Sequence, residues 1–369
     1  MPTLHDVTEK TKLILKWGGI VLGIIVLLIL LYRGGLFVKE TFFPTPPPPP
    51  TVLFGQLDSI SFPQKTSEKK RTYIIDTVTG KLPTFLDEKK MPRDRMKVYK
   101  ISHNELTLLD LQSTRNLVAS VGFSGRGIPI EGDIYRFQRL DPLPKTFDID
   151  IVDKNFILTS QFPFNQEILD ARNLPNQSEA LTKTTSFMQS LHTYYQDLDP
   201  SKTKIQLLKL KNGVFFDAEK LEEAHVLRVD YFQKDIETFP IYYPMGIFST
   251  MHFLVASVDS QSSLPIVLSN FYHQSIVTQE NATYPIKSVA KAYQELTEGK
   301  GHIAANFVQG DRIPIKDVFL AYYATNERQD YLMPVYVFRG REDEFYAYVS
   351  AVDDIWIKDS SPTSKQSSR

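Results

Sequence analysis

The chain has 369 residues, with 42 Lys and Arg against 43 Asp and Glu and a formal net charge of −1. That balance gives no electrostatic case for a nucleic-acid binder, which carries a basic domain or stripe, while 42% hydrophobic and 23% charged residues fit a globular chain with a real core. The lack of cysteine excludes disulfides, thiolate zinc sites, iron–sulfur clusters, a cysteine nucleophile and a lipid-modified N-terminal cysteine.

Residues 17–32 (WGGIVLGIIVLLILLY) form an uncharged run that extends back to residue 13 with Lys16 as its only charge. About twenty apolar residues at roughly 1.5 Å rise span a hydrocarbon core of about 30 Å. Lys16 lies within a turn of the end, where it can snorkel, and Trp17 and Tyr32 fall at interfacial positions. A cleaved signal peptide would show a shorter apolar run followed by small residues at a cleavage site, whereas this one runs into Tyr32-Arg33-Gly34-Gly35-Leu36-Phe37. Residues 13–32 are therefore expected to be an uncleaved, single-pass transmembrane helix in contact with the lipid bilayer. Lys10, Lys12 and Lys16 against Arg33 and Lys39 place the short tail, residues 1–12, in the cytoplasm and the body of the chain outside it. Residues 33–50 read as a stalk. Their five consecutive prolines, 46–50, form a stiff polyproline spacer.

Four segments then alternate apolar and polar residues with a turn signal in the middle: 72–85, 146–160, 226–242 and 345–358. The turn signals are Thr79-Gly80, Asp153-Lys154-Asn155, Gln233-Lys234-Asp235 and Asp353-Asp354, and the pattern predicts antiparallel hairpins. Three helices are predicted between them. The first covers 106–121, with a Ser102/Glu105 capping box and a stop at Gly122. The second covers 179–195 behind Ser178, and the third covers 289–297 between Ser288 and Gly299. This order predicts an α+β class: repeated helix-plus-antiparallel-sheet units over 51–165, 166–280 and 281–358. A polar, aperiodic tail follows at 359–369, expected to be disordered.

The C-terminal part carries a family pattern. It reads Tyr284-Pro285-Ile286-Lys287-Ser288, a short helix, Gly299-Lys300-Gly301, then Val318-Phe319-Leu320-Ala321-Tyr322-Tyr323. Leu332-Met333-Pro334-Val335-Tyr336-Val337-Phe338 and Phe345-Tyr346-Ala347-Tyr348-Val349 follow. This resembles the C-terminal half of the YycH/YycI regulatory proteins and related PepSY-type units, and residues 72–85, with Asp76 and Gly80, resemble the terminal hairpin of a PepSY unit. The resemblance implies one N-terminal span, an extracytoplasmic α+β body, and action by protein–protein contact that restrains a membrane sensor kinase. The length and the proline stalk depart from the family's usual form, and the matched stretch has no catalytic motif.

Cell-wall chemistry would need motifs in context. The S-x-x-K pairs are Ser67/Lys70, Ser201/Lys204 and Ser288/Lys291; only the last opens a predicted helix, and Thr79-Gly80-Lys81 is not K-T-G. The glycine run from Gly122 to Gly127 misses the nucleophile-elbow spacing. The seven histidines, at 5, 103, 192, 225, 252, 273 and 302, form no close metal-binding pair. Asp148/Asp150 read as the wet face of a strand and Asp353/Asp354 as a turn. Lys89, Lys90, Arg93, Arg95 and Lys97 form a basic loop offset by Asp87, Glu88 and Asp94. No catalytic, metal-binding or cofactor-binding residue is assigned, and no cofactor. The expectation is a non-enzymatic, regulatory binding protein of the cell envelope whose partner is another membrane or envelope protein. An envelope hydrolase or transferase without a recognisable motif and a structural envelope component are the alternatives. A cleft with converging Asp, His or Lys would favour an enzyme; an exposed apolar patch or open sheet edge would favour binding.

Overall fold

The computed structural model describes residues 17–18, 21–34, 49–63, 71–83, 94–140, 143–171, 173–257, 264–308, 310–341 and 344–358. The chain divides into two compact units, Met1–Pro49 and Pro50–Arg369. In the first, residues 17–18 and 21–34 are helical and their apolar side chains are exposed. No helix among the described residues is long and apolar enough to cross a membrane. This corrects the expected transmembrane helix over 13–32, and the described residues give no support to the expected single-pass location. Residues 13–16, 19 and 20 lie outside the described residues, as do the tail 1–12, positions 35–48 of the expected stalk, and the C-terminal tail 359–369.

The second unit is built mostly of strands. In chain order these are β1 (Thr72–Ile75), β2 (Arg95–Ile101), β3 (Ser124–Glu131), β4 (Ile134–Arg139), β5 (Lys145–Asp150), β6 (Phe156–Ser160), β7 (Lys204–Lys211), β8 (Val214–Asp217) and β9 (Val226–Tyr231). There follow β10 (Ile241–Tyr242), β11 (Met251–Ala256), β12 (Ile266–Phe271), β13 (Ile276–Pro285), β14 (His302–Asn306), β15 (Arg312–Ile315), β16 (Asp317–Tyr323), β17 (Tyr331–Arg339) and β18 (Phe345–Ser350). Among the described residues four helices accompany them: α1 (Asp110–Ser120), α2 (Gln166–Asp170), α3 (Gln177–Ser190) and α4 (Val289–Thr297).

Nine strands make one antiparallel sheet in the order β3-β4-β5-β6-β12-β11-β9-β7-β8. Alternation sets its faces. In β5, Phe147 and Ile149 are buried while Thr146, Asp148 and Asp150 are only partly covered. The inner face carries Phe147, Phe156, Phe253 and Phe271, and α1 and α3 cover it with Val118, Ala180, Phe187 and Met188. Ring centroids of Phe156 and Phe271 are 5.0 Å apart and those of Phe147 and Phe156 are 4.9 Å apart, so stacking adds to burial. On the other face, Leu208, Val226, Leu254 and Val267 are covered by Phe162 and by Ile168 of α2.

A second, seven-stranded sheet has β10-β16-β17-β18-β14 as its main path, with β2 added to β17 and β13 to β2. From Leu332 to Phe338, β17 is buried throughout, as a strand covered on both faces must be. It tolerates Pro334 because its neighbour changes there: β2 pairs at Tyr331 and Leu332, and β18 takes over from Val335. Strands β1 and β15 form a separate parallel pair.

These sheets overturn the repeated helix-plus-sheet units. Pairing of β6 with β12 carries one sheet straight through residue 165, and β2 lies in the sheet built mostly from strands beyond residue 240. Among the described residues, only β5–β6 of the four predicted hairpins forms as such. β1 pairs instead with distant β15, β9 and β10 enter different sheets, and β18 runs into a 3₁₀ turn at Asp354–Trp356. A period of two fixes which face a residue takes but not which strand lies beside it.

The helix caps are local and closer to expectation. Ser288 accepts from the Lys291 N–H at 3.2 Å and opens α4 as predicted. α3 starts from Asn176, not Ser178, through a capping box with Glu179 at 3.0 and 2.9 Å. The Ser102/Glu105 box does not form; Asp110 accepts from the Thr107 N–H and hydroxyl instead, at 2.6 and 2.8 Å.

Candidate functional site

The nine-stranded sheet ends in two strands with one neighbour each, and they differ. At one end, β7 and β8 are joined by Asn212-Gly213, with φ of 51° and 78°. Two successive positive φ angles make the tight two-residue turn whose twist suits a hairpin, and Asn-Gly is the pair that adopts it at least cost. The register is Lys211↔Val214, Lys209↔Phe216 and Leu208↔Asp217. Next to such a turn Lys211/Val214 and Lys209/Phe216 exchange hydrogen bonds, so the amides of Phe215 and Asp217 point away from β7. Leu210, opposite Phe215, accordingly turns its N–H to the other side, where it donates to His225 Nδ1 at 2.9 Å. All four β8 residues are exposed, Val214 by 55% and Phe216 by 49%. Phe215 faces the other way and stacks on Phe162 at 6.3 Å. The result is an edge with outward amides and an apolar pair on one face.

The opposite edge, β3, is blunted. It also exposes Ile128 and Ile130, but Pro129 has no N–H, Arg126 adds charge and the register to β4 shifts twice. Proline, charge and irregular register are the devices that keep an edge from pairing with another chain. β8 carries only its shortness and Asp217. Sequence reasoning missed this hairpin; the signal was the Asn-Gly pair between two alternating runs.

Titratable groups do converge where the two sheets meet. His103, just after β2, donates through Nε2 to the Gln329 carbonyl at 3.0 Å, and its Nδ1 lies 3.3 Å from Asp153 in the β5–β6 turn. His273, just after β12, lies 2.8 and 3.0 Å from the two Asp197 carboxylate oxygens and stacks on Tyr195 with centroids 4.0 Å apart. Gln233 donates to Asp197 at 2.7 Å and to the Gln274 carbonyl at 2.9 Å. Gln274 in turn donates to the carbonyls of Thr325 and Glu327 in the β16–β17 loop, at 2.9 and 3.1 Å. Burial pushes the Asp150 carboxyl up, against the opposing N–H groups of Asp153 and Val152. Burial acts on Asp197 in the same sense, but its bonds to His273 and Gln233 outweigh it and hold that carboxyl below its usual range.

The space among His103, Asp150, Asp153, Tyr272, His273 and Arg328 is about 30 Å³. That is room for about one water, not for a substrate. These groups are spent on tying loops together, and no group of three or more His, Asp or Glu that could hold a metal occurs among the described residues. Sequence reasoning treated each histidine singly and so missed both His–Asp contacts, whose partners lie 50 and 76 positions away.

The other residues weighed from sequence are structural. Lys291 pairs with Asp354 at 2.7 Å, and Ser201 donates to Asp199 at 2.6 Å in a 3₁₀ turn. Asp148 is held by Arg136 through two bonds of 2.6 Å, and Asp353 caps the turn that contains Asp354. Arg95 pairs with Asp94 at 2.6 Å and Lys97 with Glu237. Ser67, Lys70, Lys89, Lys90 and Arg93 lie outside the described residues. His302 donates to the Pro244 carbonyl at 2.8 Å. His252 is half-buried, and loss of solvent, with Arg228 beside it, lowers its pKa to about 4.

No family model, no curated protein and no solved structure matches this chain.

Proposed function

We propose that the chain is a non-catalytic binding protein that acts by contact with a partner protein, and that β8 takes up an extended segment of that partner as an added strand. The open β8 edge, with exposed Val214 and Phe216 on one face, is the observation that carries this reading. The C-terminal pattern shared with the YycH/YycI proteins supports it, because those proteins work by contact. The polar junction offers no competing substrate site of useful size.

The magnitudes suggest a transient contact. Phe215 and Asp217 offer roughly four outward backbone groups, each net hydrogen bond contributing about 1 kcal/mol. Covering the exposed halves of Val214 and Phe216 adds roughly 2 kcal/mol. Association costs at least about 4 kcal/mol, so a four-residue edge alone gives weak binding and the partner's flanking contacts must supply the rest.

The test uses two variants of the full chain, with partners captured by in-cell cross-linking. Asp217→Pro removes an N–H that points away from β7, so the hairpin remains while strand addition is blocked. Phe216→Lys puts a charge on the apolar face. Both are expected to retain the wild-type melting curve and to lose the dominant cross-linked partner. Retention of that partner by both variants would overturn the reading.

A further inference from the structure

A second feature lies apart from β8, at the other end of β7. A cleft of about 480 Å³ opens between the two sheets, walled by the start of β7 and the segment after β9 on one side and by β10, Arg339 of β17 and Tyr346 of β18 on the other. That volume lies within the range of small-molecule sites, which favour the seams between packed layers. We propose that this cleft binds a small organic anion made of a ring bearing a phosphate or carboxylate.

Charge is the first argument. Lys202, Lys204 and Arg339 line the cleft against one carboxylate, Asp235. Lys202 is committed to Asp235 and to the Gln233 carbonyl, and Arg339 shares its charge with Asp317, behind the lining, at 2.9 Å. Lys204 has no ion-pair partner among the described residues; its ammonium rests 5.5 Å from the Phe232 ring centroid. The cleft thus carries excess positive charge on a chain whose net charge is −1. Low-dielectric walls focus such a charge on an entering anion.

The second argument is the wall itself. Phe232, Tyr242 and Tyr346 line the cleft, and the Tyr242 and Tyr346 centroids stand 5.8 Å apart at 38°. Aromatic faces beside cations suit a ligand with both a ring and a negative group. The third argument is Thr203, which sits between the two lysines in the chain and lines the same cleft. Its hydroxyl is buried and has no hydrogen-bond partner among the described residues, a state that native structures seldom leave unexplained.

The full chain is titrated by calorimetry with phenyl phosphate and benzoate, and with inorganic phosphate and benzyl alcohol as controls for charge alone and ring alone. One of the two ring-bearing anions is expected to bind one to one, at least tenfold tighter than either control; the tighter of the pair identifies the head group. Lys204→Glu, an exposed change that leaves the melting curve unaltered, is expected to weaken that binding at least tenfold. Thr203→Val, which keeps the side-chain shape, is expected to weaken it several-fold. No binding of either ring-bearing anion, equal binding of benzyl alcohol, or unchanged affinity in Lys204→Glu would each overturn the proposal. None of these results depends on β8 or its partner.

Discussion

Lys145 shows how one buried residue sets a pH dependence. Its side chain is almost wholly enclosed, and its ammonium donates to the Leu264 carbonyl with no carboxylate partner among the described residues. Burial, with Arg139 nearby, pulls its pKa down to about 7 from 10.5. Between those values the unfolded chain holds a proton that the folded chain does not, so stability rises with pH across that window. The penalty is fully present below about pH 7 and vanishes above about 10.5. Lys145→Met removes the charge and keeps most of the volume. After allowance for the lost bond to Leu264, it is expected to raise unfolding free energy at neutral pH by roughly 2–4 kcal/mol. Urea midpoints between pH 7 and 10 would also lose their upward slope. A midpoint that falls, or a slope that persists, would show that Lys145 is not the source. His252 acts on the acid side: with a folded pKa of about 4, it withdraws stability as pH falls below about 6.5.

Single elements were legible in the sequence wherever their determinants are local. The Ser288 cap of α4 and the β5–β6 hairpin are set by residues a few positions apart, and both were read correctly. α3 was found but its cap was placed two residues late. Asn176 and Glu179 satisfy each other across three residues, and Asn176→Ala is expected to cost about 1 kcal/mol in an unfolding titration; no change would mean that packing alone fixes the start of α3. The segments 72–85, 226–242 and 345–358 were misread because their strands pair with partners far along the chain. β1 meets β15 across a separation of 240 positions, as Thr72↔Arg312 shows. The β8 edge shares this difficulty. Val214-Phe215-Phe216 could equally have been a central strand, and its edge position follows only from the full sheet order.

At the scale of the whole second unit, strands distant in sequence are interleaved. β12 inserts between β6 and β11, and β2 bridges β17 and β13. The N-terminal part joins the C-terminal part through a bridge from Leu57 to Ile357 and an ion pair of 2.8 Å from Lys358 to Asp58. Nothing in the hydrophobic periodicity encodes these long-range choices, which is why the α+β repeat was expected and a largely β architecture is found. The same interleaving leaves β8 as the less protected of the two edges of the nine-stranded sheet. Amide hydrogen exchange on the full chain, alone and with the partner recovered by cross-linking, tests that assignment most directly. Strand addition predicts that the outward amides of Phe215 and Asp217 become protected at least tenfold on binding, while those of Val214 and Phe216, already bonded to β7, change little. Protection that appears elsewhere with Phe215 and Asp217 unchanged would contradict it.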